Sequence, residues 1–373
     1  MQTFFITRHS ARNYGSVLQS IATQQLLERA GAAPIVVDYR QPGVKDTGWS
    51  YASRGRQSKL VSRLAYAAYR SRNARRLGAT FEDALRRGVR LTTSRYESFA
   101  ALSRSSEFDS GSAYCVGSDQ VWNITYNDDN RPYYLEFAPP SARKFSLASS
   151  LGVSALPPTE EVRLAAALES YGGVSVRETE AVEYLASLGI QAEQHVDPTL
   201  AVGQEFWSAF GGARQNTSPY LLVYQLNPNP EFERVVSMIA RARNLRVQTI
   251  DYWKDPRRRP LGQSILAPSV WDFVRLFRDA DAVVTDSFHG TVFATVFSKD
   301  FVALAPPKFA GRVESLLALT DRPQKLIGEG ADPTLVLASA DTDRAAQSLL
   351  KAEKDRLDRY LSVQVGHPDG AKC

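Results

Sequence analysis

Short apolar runs alternate with helical patterns at the start of the chain. The run FFIT at 4–7 predicts a strand, and residues 15–31 repeat apolar positions at helical spacing up to Gly31, a typical helix C-cap. The run IVVDY at 35–39 predicts the next strand. A strand–helix–strand order of this kind indicates a parallel sheet.

The same alternation continues to the end of the chain. Further strands are predicted at 113–119, 144–150, 174–178, 220–226, 246–250, 282–286 and 301–304. Helices are predicted at 159–171, 179–189, 230–243, 270–279, 290–298 and 342–364. The stretch HVDPTL at 195–200 reads as the end of the first sheet, followed by a boundary.

This order predicts an α/β protein with two Rossmann-like domains that face a cleft. The predicted division is an N-terminal domain at 1–205 with a basic helical insertion at 54–90, a C-terminal domain at 206–345, and a terminal helix and tail at 346–373. In such sheets, ligands bind beyond the carboxyl ends of the strands.

Polar clusters follow several of the predicted strands at that edge. The stretch YCVGSDQVWN at 114–123 begins as a predicted buried strand and then becomes polar. Polar residues follow other predicted strands in the same way: NYG at 13–15, Arg177 with Glu178, and the end of VTDSFHG at 284–290. Each cluster alone is more typical of a turn or a helix cap. Their joint position at strand ends favours a binding or catalytic site.

The charge of the chain is informative in one segment only. The net charge of +5 and the pI of about 9.1 permit an anionic partner without selecting one. Basic residues concentrate at 54–90, and the pattern at 58–77 fits a basic amphipathic helix on an anionic membrane. A helix packed on the first domain with its arginines in water fits equally well. No nucleic-acid-binding module is recognisable there, so no nucleic acid is expected.

The cysteines and apolar segments narrow the class of protein further. Only Cys115 and Cys373 are present, without a CxxC motif or a Cys/His cluster, so neither a metal site nor a disulfide framework is expected. The N-terminus lacks the long apolar region of a signal peptide, and no run approaches the roughly 18 apolar residues of a membrane span. A cytoplasmic enzyme is the expectation.

Two of the polar clusters resemble the polysaccharide pyruvyl transferase family. GSDQVWN at 117–123 and SFHG at 287–290 carry the resemblance, and NYGSVLQSIATQQLL, VSVRETEAVEYL and GRVESLLALTDR extend it over about residues 3–325. The resemblance implies a GT-B-like architecture with an acceptor-binding first domain and a donor site in the second. It also implies transfer of pyruvate from phosphoenolpyruvate (PEP) to a sugar, forming a cyclic ketal on a cell-surface glycan or its lipid-linked precursor. No cofactor is implied beyond PEP as the donor.

Ketal formation needs a proton donor, cationic groups for the donor anions, and a base. The resemblance makes His289 the candidate general acid, and Arg177 and Arg312 suit the carboxylate and phosphate of PEP. Some family members carry an Arg two residues before this His, where the present chain has Ser287. Arg312 is therefore expected to take over that role, with Arg8 or Arg12 as alternatives.

The acceptor roles rest on chemistry alone. Asp119 and Asp286 are candidates for orienting or deprotonating sugar hydroxyls, and Trp122 for stacking on a sugar ring. Gly117 is expected to let the backbone turn at the strand end. The remaining predicted substrate-binding residues are Asn13, Tyr14, Gly15, Ser118, Gln120, Asn123, Ser287 and Gly290.

Two other functions fit the same sequence. A GT-B glycosyltransferase that uses a nucleotide sugar would share the architecture and the cleft. A catalytically inactive, glycan-binding relative is the second alternative, because Ser287 departs from the family pattern.

Overall fold

The computed structural model describes residues 1–41, 60–215, 218–252, 261–305, 310–338 and 343–366. Within these ranges, the side chains of 60–71, 73, 74, 310, 338 and 343–346 are outside the description. Cys373 and residues 42–59, which include the first part of the predicted basic insertion, lie outside the described ranges.

The first half of the chain forms a parallel sheet with helices on its faces. Its strands are Gln2–Ile6 (β1), Ala33–Val36 (β2), Ala113–Val116 (β3), Arg143–Ser146 (β4) and Tyr171–Gly173 (β5). Its helices are Tyr14–Arg29 (α1), Leu60–Gly88 (α2), Phe99–Ser103 (α3), Pro158–Leu168 (α4) and Thr179–Ser187 (α5). The strand order is β2-β1-β3-β4-β5. All four residues of β3 are buried, as expected for a strand covered on both faces.

The strand predicted at 174–178 lies outside this sheet. Ser175–Val176 (β6) pairs instead with Glu193–Gln194 (β7) in a small two-stranded sheet. The fifth strand of the main sheet is β5, which the sequence did not reveal because its sequence, YGG, has no apolar alternation. The segment 195–200 follows the end of β7, and it leads into a short helix that was not predicted, Pro198–Ala201 (α6), which is capped by Asp197.

The second half forms another all-parallel sheet. Its strands are Tyr220–Tyr224 (β8), Arg246–Asp251 (β9), Gln263–Leu266 (β10), Ala282–Thr285 (β11), Asp300–Leu304 (β12) and Leu326–Ile327 (β13). Its helices are Gly203–Gly211 (α7), Glu231–Ala242 (α8), Val270–Asp279 (α9), Phe288–Val296 (α10), Ala310–Leu319 (α11), Pro333–Ala338 (α12) and Asp343–Val365 (α13). The strand order is β10-β9-β8-β11-β12-β13. The predicted two-domain parallel α/β architecture is therefore confirmed.

One hydrophobic core runs through both halves, and Tyr14 lies at their junction. Its ring stacks on Phe273 of α9 with the ring centroids 4.2 Å apart, and its hydroxyl donates to the backbone oxygen of Pro268 at 2.6 Å. Burial raises the pKa of Tyr14 far above its ordinary value, so the phenol stays protonated as this bond requires. Tyr14 was predicted to bind substrate, but its ring and its hydroxyl both contact the second half of the chain.

The last helix returns to the first half. The Tyr360 hydroxyl in α13 donates to the Ser146 backbone oxygen at 2.7 Å, at the end of β4. Arg143 of the same strand donates to the backbone oxygens of Val363 and Gln364 at 3.1 Å each. The last carbonyl groups of a helix have no partner within the helix, and here a strand of the first sheet supplies the hydrogen-bond donor.

The basic insertion is a long helix whose second part belongs to the core. In α2, Leu77, Phe81, Ala84 and Leu85 are buried, while Arg86 and Arg87 reach solvent. This part matches the alternative of a helix packed on the first domain with its arginines in water. The membrane-binding face was predicted from residues whose side chains are outside the description, and it stays a prediction. Among the described helices, none is long and apolar enough to cross a membrane.

The junction generates a test of Tyr14. Tyr14→Ala removes the stacked ring from a closed core and should lower the free energy of unfolding by about 3–5 kcal/mol. Tyr14→Phe keeps the ring, loses one hydrogen bond, and should cost about 1 kcal/mol. Urea denaturation measures both. If Tyr14→Phe leaves stability unchanged but raises a substrate KM, the role predicted from the sequence is right and the junction role is wrong.

Candidate active site

Parallel pairing brings the first two polar clusters together. Ile6 of β1 pairs with Val116 of β3, so the residues after the two strands run side by side. The Thr7 hydroxyl donates to the Ser118 backbone oxygen at 2.5 Å, which ties the loop after β1 to the loop after β3. A Cβ at Gly117 would lie 3.2 Å from the Thr7 Cβ, a tight contact that would push the two loops apart by a few tenths of an ångström.

The unusual backbone at the end of β3 belongs to Asp119. This residue has a φ of +83°, a left-handed conformation that costs free energy in a non-glycine residue, whereas Gly117 is not in that region. The expectation that Gly117 makes the turn was therefore wrong. The Asp119 carboxylate accepts from the Gln120 backbone N–H at 2.8 Å and from the Ser16 hydroxyl at 2.7 Å. These bonds hold the strained residue in one orientation.

A buried ion-pair network centres on Arg177, just beyond β6. Its Nη1 donates to Asp197 Oδ2 at 2.8 Å, and its Nε donates to Glu178 Oε1 at 3.0 Å. Ser118 Oγ donates to the same Asp197 oxygen at 2.8 Å, and Nη2 stands 3.9 Å from Asp119 Oδ1. Burial disfavours the charged guanidinium, but the carboxylates outweigh this and raise the pKa of Arg177. The arginine is fixed, charged and directed toward Asp119.

His289 comes from the second half and reaches the same place. It follows Ser287, whose hydroxyl caps α10 by accepting from the Gly290 N–H at 3.3 Å. Opposite the imidazole lies Gly15, where an added Cβ would overlap the ring. The NYG and SFHG stretches are therefore in van der Waals contact, and the glycine of the first makes room for the histidine of the second.

Electrostatics keeps the His289 imidazole neutral. Burial lowers the pKa of His289 to about 4, even though the carboxylate of Asp197 opposes this, and the Arg177 and Arg312 guanidiniums lower it further. Burial would raise the pKa of Asp119, but the charges of Arg177 and Arg8 outweigh it and lower that pKa. At neutral pH the cluster thus combines ionised carboxylates and guanidiniums with an uncharged imidazole.

Phe288 links the two predicted donor-binding arginines. The guanidinium carbon of Arg177 lies 4.7 Å from the centre of its ring, and that of Arg312 lies 5.8 Å away. Both are within cation–π range of a largely buried aromatic face. Arg312, on α11, is therefore brought to the same cluster as Arg177, as its predicted role requires.

The structure places two predicted residues in supporting positions. Asp286 accepts from the Leu226 and Asn227 N–H groups at 2.6 and 2.7 Å, so it holds the loop after β8. Trp122 is fully buried and donates its indole N–H to the Tyr133 backbone oxygen at 3.0 Å. Neither the base role of Asp286 nor sugar stacking by Trp122 agrees with these contacts. Sequence reasoning erred because strand-end position alone does not reveal which way a side chain points.

The other predicted residues shape the loops around the cluster. Asn13 caps α1 by accepting from the Ser16 N–H at 2.7 Å, and Asn123 accepts from the Thr125 N–H at 2.9 Å. Gln120 and Asn123 both lie against Gly152, whose φ of +64° suits glycine. A Cβ at Gly290 would overlap Thr285, so this glycine allows the tight start of α10.

Two site residues escaped sequence reasoning. Asp197 was read as part of a boundary, although an Asp–Pro pair is a typical helix start. Ser16 lies within a predicted helix, and no sequence motif marks it as a site residue. Asp197 is fully buried and contacts Arg177 and Ser118, while Ser16 contacts Asp119.

Comparison with known proteins agrees with the motifs that meet in this cluster. The sequence model of the family described as "Polysaccharide pyruvyl transferase" matches residues 13–307. The chain belongs to this family. No curated protein matches the chain in a direct comparison.

Solved structures show the fold of this family member. UDP-GlcNAc 2-epimerase from Neisseria meningitidis bound to UDP-GlcNAc is similar with a TM-score of 0.52 and 11% identity, covering 98% of each chain. UDP-GlcNAc 2-epimerase from Methanocaldococcus jannaschii is similar with a TM-score of 0.51 and 11% identity, covering 94% of this chain and 100% of the other. A further UDP-N-acetylglucosamine 2-epimerase is similar with a TM-score of 0.54 and 12% identity, covering 100% of this chain and 98% of the other. The fold is GT-B-like, and identities this low carry no more than that.

The contact between Gly15 and His289 can be tested by a double-mutant cycle. Gly15→Ala should displace the imidazole and cost about 1–3 kcal/mol of stability, because overpacking strains a closed core. In a His289→Ala background the ring is gone, so the same change should cost far less. Thermal and urea unfolding of the four proteins measure the coupling. An equal cost in both backgrounds would show that the ring is not what requires glycine.

Proposed function

We propose that this protein transfers the pyruvyl group of PEP to two hydroxyls of one sugar, forming a cyclic ketal. The acceptor is a cell-surface glycan or its lipid-linked precursor. Family membership supports the transferase class. The observation that carries the PEP-specific part is the cluster itself, in which a buried, fixed arginine and a neutral histidine from opposite halves meet beside Asp119.

Two buried polar atoms support an anionic ligand in this cluster. Arg177 Nη2 and His289 Nε2 are buried and have no hydrogen-bond partner among the described residues. Arg177 Nη2 is a donor, and a buried donor without an acceptor costs free energy, so an acceptor atom from a ligand would be favoured beside it. The neutral His289 Nε2 donates or accepts according to its tautomer. The carboxylate and phosphate of PEP supply acceptor atoms, and the planar guanidinium matches either group.

His289 serves as the acid in this mechanism. It gives a proton to C3 of PEP, which leaves a cationic centre at C2, and one sugar hydroxyl attacks that centre. Phosphate then leaves with its bridging oxygen, and the second hydroxyl closes the ring at C2. The two hydroxyl protons balance the step, since one restores the acid and the other leaves with hydrogen phosphate. Because the unliganded imidazole is neutral, the charges of bound PEP must raise its pKa before it can act.

Asp119 is the best-placed group for the acceptor. Its carboxylate is ionised, held by Ser16 and the Gln120 N–H, and electrostatically coupled to His289. A carboxylate in this position can orient a sugar hydroxyl and accept its proton. The bonds that hold it also keep its strained backbone in place.

A lipid-linked acceptor would place the enzyme in the cytoplasm at the inner face of the membrane. Peripheral contact with anionic lipid through 54–90 is the corresponding proposal, and it rests on the basic composition of that segment. No nucleic acid takes part in this scheme.

The donor assay tests the reaction directly. The purified protein is incubated with PEP or with nucleotide sugars, together with candidate lipid-linked glycans, while phosphate release and a pyruvate-sized mass gain are followed. PEP alone should support transfer, and His289→Ala should lower the rate by about 10²–10⁴-fold. Arg177→Lys should raise the KM for PEP, because Lys lacks the planar fork. Transfer from a nucleotide sugar, or full activity of His289→Ala with PEP, would refute the proposal.

The pH dependence tests the role of bound PEP. kcat/KM reports groups in the free enzyme, and kcat reports groups in the complex. Both should fall as His289 loses its proton with rising pH, and the fall in kcat should lie at higher pH because the donor anions stabilise the imidazolium. PEP binding to His289→Ala at each pH corrects for the ionisation of PEP. The reverse order of the two midpoints would contradict an acid whose pKa the donor raises.

A further inference from the structure

Glu178 follows Arg177 beyond β6, and one of its two carboxylate oxygens is unused. The residue is only 6% exposed. Its Oε1 accepts from Arg177 Nε at 3.0 Å and from the Ser150 hydroxyl at 2.6 Å. Its Oε2 is buried and has no hydrogen-bond partner in the part of the chain that the structure describes. A buried acceptor without a donor costs free energy, so a hydrogen bond from a ligand to Oε2 would be favoured.

Helix capping does not account for this carboxylate. Glu178 directly precedes α5, at a position where a side-chain oxygen commonly accepts from the first free N–H groups of a helix. The Glu178 side chain makes no such bond. The helix therefore begins without using Oε2.

The two other carboxylates beside Arg177 are fully engaged. Asp197 accepts from the Thr199 N–H through Oδ1 at 2.9 Å and from Arg177 Nη1 through Oδ2 at 2.8 Å. Asp119 likewise accepts a hydrogen bond at each of its oxygens. Glu178 differs from both, because one of its oxygens takes no part in holding the chain together.

Two residues connect Glu178 with the Asp119 cluster. The Ser150 N–H donates to the Asp119 backbone oxygen at 3.1 Å, while the hydroxyl of the same serine donates to Glu178. Arg177 makes the second connection, since its Nε bonds Glu178 and its Nη2 stands 3.9 Å from Asp119 Oδ1. The two carboxylates thus flank one planar guanidinium.

Ketal formation has work for two carboxylates. Two sugar hydroxyls bond to C2 of the donor, and each must lose its proton. A hydroxyl that has added to a cationic carbon is strongly acidic, so a carboxylate that is ion-paired with an arginine is a sufficient base. Asp119 can serve one hydroxyl, and a second acceptor is needed for the other.

We infer that Glu178 is a second catalytic carboxylate, which accepts the proton of one acceptor hydroxyl while Asp119 accepts that of the other. The inference rests on the proposed function, because it assigns a further residue to the same reaction. The hydroxyl oxygen bonds to C2 as its O–H bond breaks, and the proton passes to Glu178 Oε2. Of the two protons collected by the carboxylates, one returns to His289 and the other leaves with hydrogen phosphate.

The test separates turnover from donor binding. Glu178→Gln keeps an oxygen that can accept from Arg177 and Ser150, but it removes the base. With a glycan that the wild type modifies in the donor assay, its kcat should fall about 10²-fold or more. Titration calorimetry with PEP should give an affinity close to that of the wild type, because the arginine stays in place.

A matched control and a second variant guard against indirect effects. Glu180→Gln makes the same charge change at an exposed residue of α5, and it should leave both kcat and PEP affinity unchanged. Glu178→Asp keeps the negative charge beside Arg177 and shortens the side chain by one methylene. It should bind PEP and lose about tenfold or more in kcat, so it carries the test if Glu178→Gln does not fold. Urea unfolding establishes which variants are folded.

Four results would overturn the inference. A parallel loss of PEP affinity and kcat would show that Glu178 only positions Arg177. Wild-type kcat in a folded Glu178 variant, or an equal loss in Glu180→Gln, would exclude a specific role as a base. A wild-type protein that transfers pyruvate to no glycan would refute the proposed function, and this inference with it. Transfer by the wild type that Glu178→Gln matches would refute this inference alone.

Discussion

The buried charge of Arg177 is the constraint on which the rest of the site depends. A guanidinium removed from water is tolerated only beside carboxylates, and here Asp197 and Glu178 provide them. Asp197 also caps α6 and accepts from Ser118, so a single carboxylate joins the end of β6, the loop after β3 and the start of α6. Removing one partner of such a pair leaves an uncompensated buried charge, which costs about 3–5 kcal/mol. Stability and site geometry therefore rest on the same bonds.

The junction of the two halves completes the candidate active site. His289 comes from the second sheet, and it meets the Asp119 cluster only because α1 packs between the halves. Tyr14 fixes that packing through Phe273 and Pro268, while Gly15, its neighbour in sequence, leaves space for the imidazole. Adjacent residues of one motif thus do different work, since one builds the interface and the next shapes the site.

The charges of the cluster suit a reaction that begins with an anion. Without a ligand, burial and two guanidiniums keep His289 uncharged, so the resting site holds no acidic proton on the imidazole near neutral pH. In the proposed reaction, the charge of an anionic donor would reverse this balance, so that proton transfer would depend on donor binding.

The sequence alone determined the two-domain α/β architecture, because apolar periodicity and strand–helix alternation are local properties of the chain. It also indicated an edge for the candidate site, since the carboxyl ends of parallel strands meet at one edge of a sheet. The orientation of individual side chains was decided only by tertiary structure. Asp286 and Trp122 follow strands just as Asp119 does, yet one holds a loop and the other fills the core. Asp197 and Ser16 became site residues through contacts with positions 20 to 103 residues away, and no local pattern records such contacts.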